Sequence, residues 1–254
     1  MFQAENHLVE LLPRKDRQRL LSVCEQVELT LGQVLCESGA YMRHVYFPNN
    51  CCISLVSAID GRAGLEVGMV GREGMIGAHL VFGVSIAPLH AVVTGAGRAL
   101  RLDCSIFRTE LIRSAALQHT LGRYTYVIFS QSASSMGCQR FHLLGARLAR
   151  WLLMRHDQAQ SDSFLATHEG LGHVLGVRRV GVTLAAGVLQ SKGFIAYSRG
   201  MLTVLDRGGL EGVACSCYAR DRSIYDQFLQ AKQAQLSTKT HVERGLRAAH
   251  KSVG

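Results

Sequence analysis

Several features of common protein classes are missing from this 254-residue sequence. Its start, from Met1 to His7, lacks the basic-then-apolar order of a secretory signal. No stretch reaches the roughly 18 uncharged apolar residues of a membrane span. A cytoplasmic protein without membrane contact is therefore expected. The eight cysteines, at 24, 36, 51, 52, 104, 138, 215 and 217, include no Cys-x-x-Cys spacing. Most lie in apolar stretches and read as small core residues of a reducing compartment. No cofactor and no metal site is expected. Cys215 and Cys217 are taken as a structural pair, with a redox or metal pair as the alternative. There is no nucleophile motif, no paired-carboxylate pattern and no phosphate-binding glycine loop ahead of a helix, so no enzyme is expected. A hydrolase using Cys51 or Cys52 with a histidine would have to work without any of these supports.

Acidic residues are scarce in one half only. Residues 1–138 hold 12 Lys and Arg against 11 Asp and Glu, whereas residues 139–254 hold 16 against 8. The formal charge of +9 thus falls almost wholly on the second half, as expected of a surface that neutralises a polyanion. With 48% apolar residues the chain can bury an ordinary core.

Leucines around Arg14 to Arg19 predict one or two short helices. From about Val27 to Leu102, short apolar or alternating runs are punctuated by Gly32, Gly39, Asp60-Gly61 and Gly71, which predicts an all-β barrel or sandwich with a hairpin turn at Asp60-Gly61. Between Ser105 and Asp157 helical spacing takes over. Leu117, Leu121, Tyr124 and Ile128, followed by Gln131, Ser135 and Cys138, alternate steps of four and three. They form one seam of a helix that either pairs with its twin in a homodimer or packs on its own β-domain. Phe141 to Met154 predicts a buried helix carrying Phe141, Leu144, Leu148, Trp151 and Leu152.

Thr167 suits the N-cap of a short helix bearing Leu171, Val174 and Leu175. Gly176-Val177 then predicts a turn before a second helix, Arg178 to Ser191, with Val182, Ala185, Ala186 and Leu189 as its apolar stripe. Two helices across a glycine-containing turn are the pattern of a helix-turn-helix. Arg178 and Arg179 stand at the end that would enter a major groove. Two short strands around Ser198-Arg199-Gly200 predict a wing tipped by arginine. A further helix is expected from Tyr218 to Ala231, packed on the winged domain, and a loose polar tail from Gln233.

These parts, in this order, resemble the Crp/Fnr family of bacterial transcription regulators. THEGLGHVLGVRRVGVTLA (167–185) is similar to the family's helix-turn-helix, and GREGMIG (71–77) to its β-roll turn. The resemblance implies an α+β chain with a β-roll (jelly-roll) sensor domain over 1–110, a dimerisation helix over 111–140, a winged helix-turn-helix domain over 141–210 and a C-terminal helix and tail over 211–254. It implies double-stranded DNA, a second copy of the chain and RNA polymerase as partners. It also implies an effector pocket, here formed by Gly77, Ala78, Leu89, His90, Ala91 and Ser132. Cyclic-AMP binders of the family carry a glutamate and an Arg-Ser pair where this chain has Ala78 and Leu89-His90. Without that arginine a buried phosphate lacks its charge partner, so cyclic AMP is not expected as a tight ligand and the effector stays unidentified. The family's Arg-Glu…Arg reading set falls on Arg179, Val180 and Leu184, which implies a different target with apolar contact to thymine methyls. Thr167, His168, Arg178, Thr183, Lys192 and Arg199 complete the expected DNA-contacting set. A module binding a small molecule or protein, with the winged domain kept as scaffold, is the alternative.

Overall fold

A computed structural model describes residues 6–59, 62–159 and 161–230. Two short helices, α1 (His7–Glu10) and α2 (Arg14–Ser22), precede seven strands: β1 (Glu25–Leu29), β2 (Val34–Cys36), β3 (His44–Pro48), β4 (Cys52–Ile59), β5 (Arg62–Val70), β6 (His90–Gly95) and β7 (Gly97–Asp103). They form two antiparallel sheets, β1-β7-β3 and β2-β6-β4-β5. Val45, Phe47 and Leu100 from the first sheet and Ile53, Val70 and Val93 from the second share one buried core. The Asp60-Gly61 turn between β4 and β5 lies outside the described residues, as does the chain beyond Gln230.

Helix α3 (Cys104–Arg113) follows, capped by Asp103, whose carboxylate accepts from the Ser105 amide at 2.7 Å. Ser114 caps the long α4 (Ala115–Phe141), its hydroxyl accepting from the Leu117 amide at 3.1 Å. Of the two partners open to the seam, a twin chain or the chain's own β-domain, it meets the second. Leu117, Leu121 and Tyr124 are buried in the β-roll core, with Ile128 packed beside them. Heptad spacing alone does not say which apolar partner a seam meets, and here the sheet is the partner. Tyr124 also pins the loop of residues 71–77, because the Met75 amide donates to its hydroxyl at 3.1 Å. A side chain on Gly74 would collide with that hydroxyl, which accounts for glycine there.

His142 and Leu143 separate α4 from α5 (Leu144–Gln158). Phe141 ends α4 and points to solvent, whereas Leu148 and Leu152 on α5 anchor a second core. Around that core lie β8 (Ser163–Leu165), α6 (His168–Leu175), α7 (Arg179–Ser191), β9 (Ile195–Ser198), β10 (Met201–Val204) and α8 (Arg207–Val213), with a β8-β10-β9 sheet. The last helix, α9 (Cys217–Tyr225), runs into one π turn at Asp226–Gln230. It bridges both cores. Tyr218 packs in the second core, while Leu229 is buried in the β-roll core with Ile224, Tyr225 and Phe228 beside it. The C-terminal segment thus leaves the winged domain rather than staying on it, because its later apolar residues match the groove between α4 and the β-roll.

Candidate nucleic-acid interface

The Thr167 hydroxyl accepts from the Gly170 amide at 3.0 Å and starts α6. Gly176 ends it with φ of 64°, a conformation that favours glycine. The backbone then enters α7 with Arg178 at its cap position and Arg179 as its first residue. Leu171 and Leu175 of α6 bury against Val182, Ala186 and Leu189 of α7. That packing leaves Arg178, Arg179, Val180, Thr183 and Leu184 exposed on one side of α7, with Val180 and Leu184 each 69% exposed.

The wing is a two-residue hairpin. Ser198 pairs with Met201, and Arg199 and Gly200 between them have φ of 50° and 83°, as a type I′ turn requires. Arginine is the wrong residue for that conformation on sterics alone, and the turn projects it outward. Lys192 caps the far end of α7, its ammonium 5.9 Å from the Phe194 ring.

Two expected contacts are engaged internally. The His168 ring stacks on Tyr197 with centroids 4.3 Å apart, and its Nδ1 lies 3.0 Å from the Thr183 hydroxyl. That hydroxyl also donates to the Arg179 carbonyl at 3.1 Å. Burial, then the nearby Arg179 charge, lowers the His168 pKa. This pair braces α6, α7 and the wing against one another.

In the β-roll, Gly77, Ala78, Leu89 and Ser132 line one cavity of about 270 Å³ with Met42, Met75, Ile128 and Phe129. His90 and Ala91, expected in the same pocket, are elsewhere. His90 Nδ1 pairs with Glu37 at 2.7 Å, and Ala91 is buried in the sheet opposite Leu55. Leu89 precedes β6, and from His90 onward the alternation of the strand sends neighbouring side chains to opposite faces, so three consecutive residues cannot share one cavity wall. Among the described residues, the cavity walls carry no arginine or lysine, and burial lowers the pKa of their one histidine, His79. Burial pushes the thiols of Cys51 and Cys52 up to about 11 and about 12, which leaves them inert as nucleophiles at neutral pH.

The winged domain is tied to the β-roll by polar contacts that the sequence did not disclose. Trp151 donates to Glu66 at 2.8 Å, Arg155 to the Thr94 carbonyl at 3.0 Å, and Gln158 to Glu73 at 2.9 Å. Tyr225 donates to the Glu73 carbonyl at 3.1 Å. Glu73 sits two residues before Met75 of the cavity wall, so cavity and winged domain meet through one loop. Each of these partners is more than 60 residues from its mate, and no local pattern marks them.

A β-roll joined by a long helix to a winged helix-turn-helix defines a two-domain fold. Residues 146–213 match the family model of the Crp-like helix-turn-helix domain. FixK2 from Bradyrhizobium japonicum superposes with a TM-score of 0.65 at 13% identity, over 76% of this chain and 98% of its own. A putative transcriptional regulator of the Crp/Fnr family from Eubacterium rectale gives 0.63 at 15% identity, covering 83% and 99%. TTHB099, a CRP-family transcriptional regulator from Thermus thermophilus, gives 0.60 at 19%, covering 74% and 96%. No curated protein matches the sequence. The family match thus covers the helix-turn-helix domain, and the likeness to these solved structures extends over the fold of both domains. Among the described residues, no helix is long and apolar enough to cross a membrane.

Proposed function

We propose that this protein is a dimeric, sequence-specific DNA-binding transcription regulator that inserts α7 into the major groove. The observation that carries the reading is the pair Arg178 and Arg179, exposed at the N-terminal end of α7 and making no side-chain hydrogen bond or ion pair with the described residues. Arginine at that end is suited to bidentate contact with guanine or to clamping phosphate. Val180 and Leu184 on the same face suit thymine methyls, while Lys192 and Arg199 reach backbone phosphates and set position rather than sequence. RNA polymerase is the further partner that this role requires.

The dimer forms on the outer face of α4. Gly122, Tyr126, Phe129, Ala133, Met136 and Arg140 alternate steps of four and three on that face, with Phe129 72% and Met136 69% exposed. Large apolar side chains at that spacing are what a two-helix seam buries. Phe129 lies on both the seam and the cavity wall, so a molecule in the cavity touches the dimer contact as well as the Glu73 loop. The cavity suits a small apolar effector. Among the described residues its walls offer no arginine or lysine to a cyclic phosphate, which argues against cyclic AMP as its ligand.

Binding to a pool of promoter-like DNA at several salt concentrations tests the reading. Wild type selects a two-fold-symmetric site with a steep salt slope, and Arg178→Ala/Arg179→Ala loses that selection. Equal, weak and unselective binding by both proteins refutes it and favours the second reading, a protein-interaction module whose partner covers the exposed Val180, Leu184 and Val188.

A further inference from the structure

Where α4 ends, four side chains from three separate segments converge. Cys138 lies in the last turn of α4, His142 follows that helix, and Cys215 and Cys217 occupy the link between α8 and α9 and the start of α9. One donor atom from each lies within 4.8 Å of all the others. Cys138 Sγ is 3.5 Å from Cys215 Sγ, and Cys217 Sγ is 3.6 Å from His142 Nδ1. A tetrahedral ion with metal–sulfur bonds of about 2.3 Å and metal–nitrogen bonds of about 2.0 Å has donor–donor edges of about 3.5–3.8 Å. These two separations are within about 0.3 Å of such edges.

The cluster is shielded from water and has arginines beside it. The three cysteines are buried and form a small cluster of their own with Ala146, apart from both main cores. Arg147 and Arg150, in the first turns of α5, are close enough to sense the charge of Cys138 and Cys215. Three thiolates around a divalent ion carry one net negative charge, which the Arg147 guanidinium can balance, Arg150 being paired with Asp221 at 2.6 Å. A disulfide would join two of the sulfurs and leave the third cysteine and the histidine without a role.

We propose that Cys138, His142, Cys215 and Cys217 bind one zinc-type divalent ion in tetrahedral Cys₃His coordination. Each ligand loses or lacks its proton on binding, so up to three thiol protons are released to solvent for each ion bound. All four positions are filled by protein, which makes the site structural rather than hydrolytic. Its place gives it a task. Cys138 and His142 flank the end of α4, and Cys215 follows α8 of the winged domain, so the ion sets the direction in which the winged domain leaves the long helix. This task rests on the DNA-binding reading; the site itself does not.

The full-length chain, reduced and air-free, is titrated with cobalt(II) and analysed for zinc after expression in zinc-supplemented medium. One ion per chain is expected, with the intense thiolate-to-cobalt and tetrahedral ligand-field bands of a three-sulfur site. Cys138→Ser and Cys217→Ser lose them. His142→Ala, a change at a half-buried position, keeps the fold by circular dichroism and binds cobalt at least tenfold more weakly. Cys24→Ser, outside the cluster, leaves the titration unchanged. Absence of cobalt bands in the folded wild type overturns the proposal, as does unchanged binding by Cys138→Ser or His142→Ala. So does recovery of a Cys138–Cys215 disulfide from protein isolated without oxidant. DNA binding is measured separately on zinc-loaded and chelated wild type, with at least a tenfold loss expected on chelation. A chain that binds zinc but selects no DNA retains the site and refutes the regulatory reading instead.

Discussion

The chain uses arginine in two opposite ways, on two helices of one domain. On α5, Arg147, Arg150 and Arg155 are buried. Arg150 is held 2.6 Å from Asp221 of α9, Arg155 donates to the β-roll, and Arg147 donates to Gln139 and to the Leu175 carbonyl. On α7 and the wing, Arg178, Arg179 and Arg199 are exposed and uncommitted among the described residues. A buried guanidinium has given up its water and needs fixed partners in return; an exposed one keeps its water and remains available to a phosphate. The first set holds domains together, and the second set is free to hold something else.

Breaking the buried set is expected to have the largest effect on stability. Burial pushes the Asp221 carboxyl up against the pull of Arg150, so the pair is already finely balanced. Arg150→Ala strands a buried acid and should cost about 3–5 kcal/mol in urea unfolding. A loss under about 1 kcal/mol would show that water reaches this pair. Next comes Arg178→Ala/Arg179→Ala, which should leave the unfolding free energy within about 0.5 kcal/mol of wild type. Its effect belongs to DNA, an affinity loss of about 2–3 kcal/mol at a selected site in fluorescence anisotropy. A drop in stability as large as that of Arg150→Ala would erase the contrast.

The acid facing the buried arginines sharpens the comparison through pH. Burial raises the Glu66 carboxyl to about 7, from an ordinary value of 4.5, against hydrogen bonds from Ser54 and Trp151 and the charges of Arg155 and Arg150. The folded chain keeps this proton where the unfolded chain has lost it. The stabilisation is therefore present below about pH 4.5 and falls away as pH rises to about 7. Glu66→Gln should flatten that slope. Trp151 is the single tryptophan of the chain, so its fluorescence should titrate with Glu66 in wild type and not in the variant. The smallest effect is expected at the wing. Arg199→Gly relieves the positive φ and should change stability by no more than about 1 kcal/mol, while weakening DNA binding by a few fold.

Much of the winged domain is legible in the sequence. Thr167 and Gly176 bracket α6, and Arg199-Gly200 marks the hairpin, because each signal lies within a few residues of the structure it causes. The α4 seam shows the limit of that reasoning. The spacing of Leu117, Leu121 and Tyr124 identifies a buried face, yet the partner is the chain's own sheet. The exposed seam, one or two residues further round the helix, is interrupted by small and polar side chains and gives a weaker signal. Correspondence with the family's Arg-Ser pair draws His90 into the pocket, whereas Glu37 holds it outside. For the same reason Cys215 and Cys217 read as an ordinary pair. Their companions Cys138 and His142 lie 77 and 75 residues away from Cys215 and Cys217 respectively.

The order of domains, the short strands, the long helix, the helix-turn-helix and the charge of its outer face were determined by the sequence itself, since capping, periodicity and turn chemistry act over a few residues. Tertiary structure alone decided which face of α4 turns inward, which residues wall the cavity, how Glu73 joins it to the winged domain and where three thiols meet an imidazole. Those outcomes depend on which distant surfaces bury each other, and a linear pattern records that each surface exists without recording its mate.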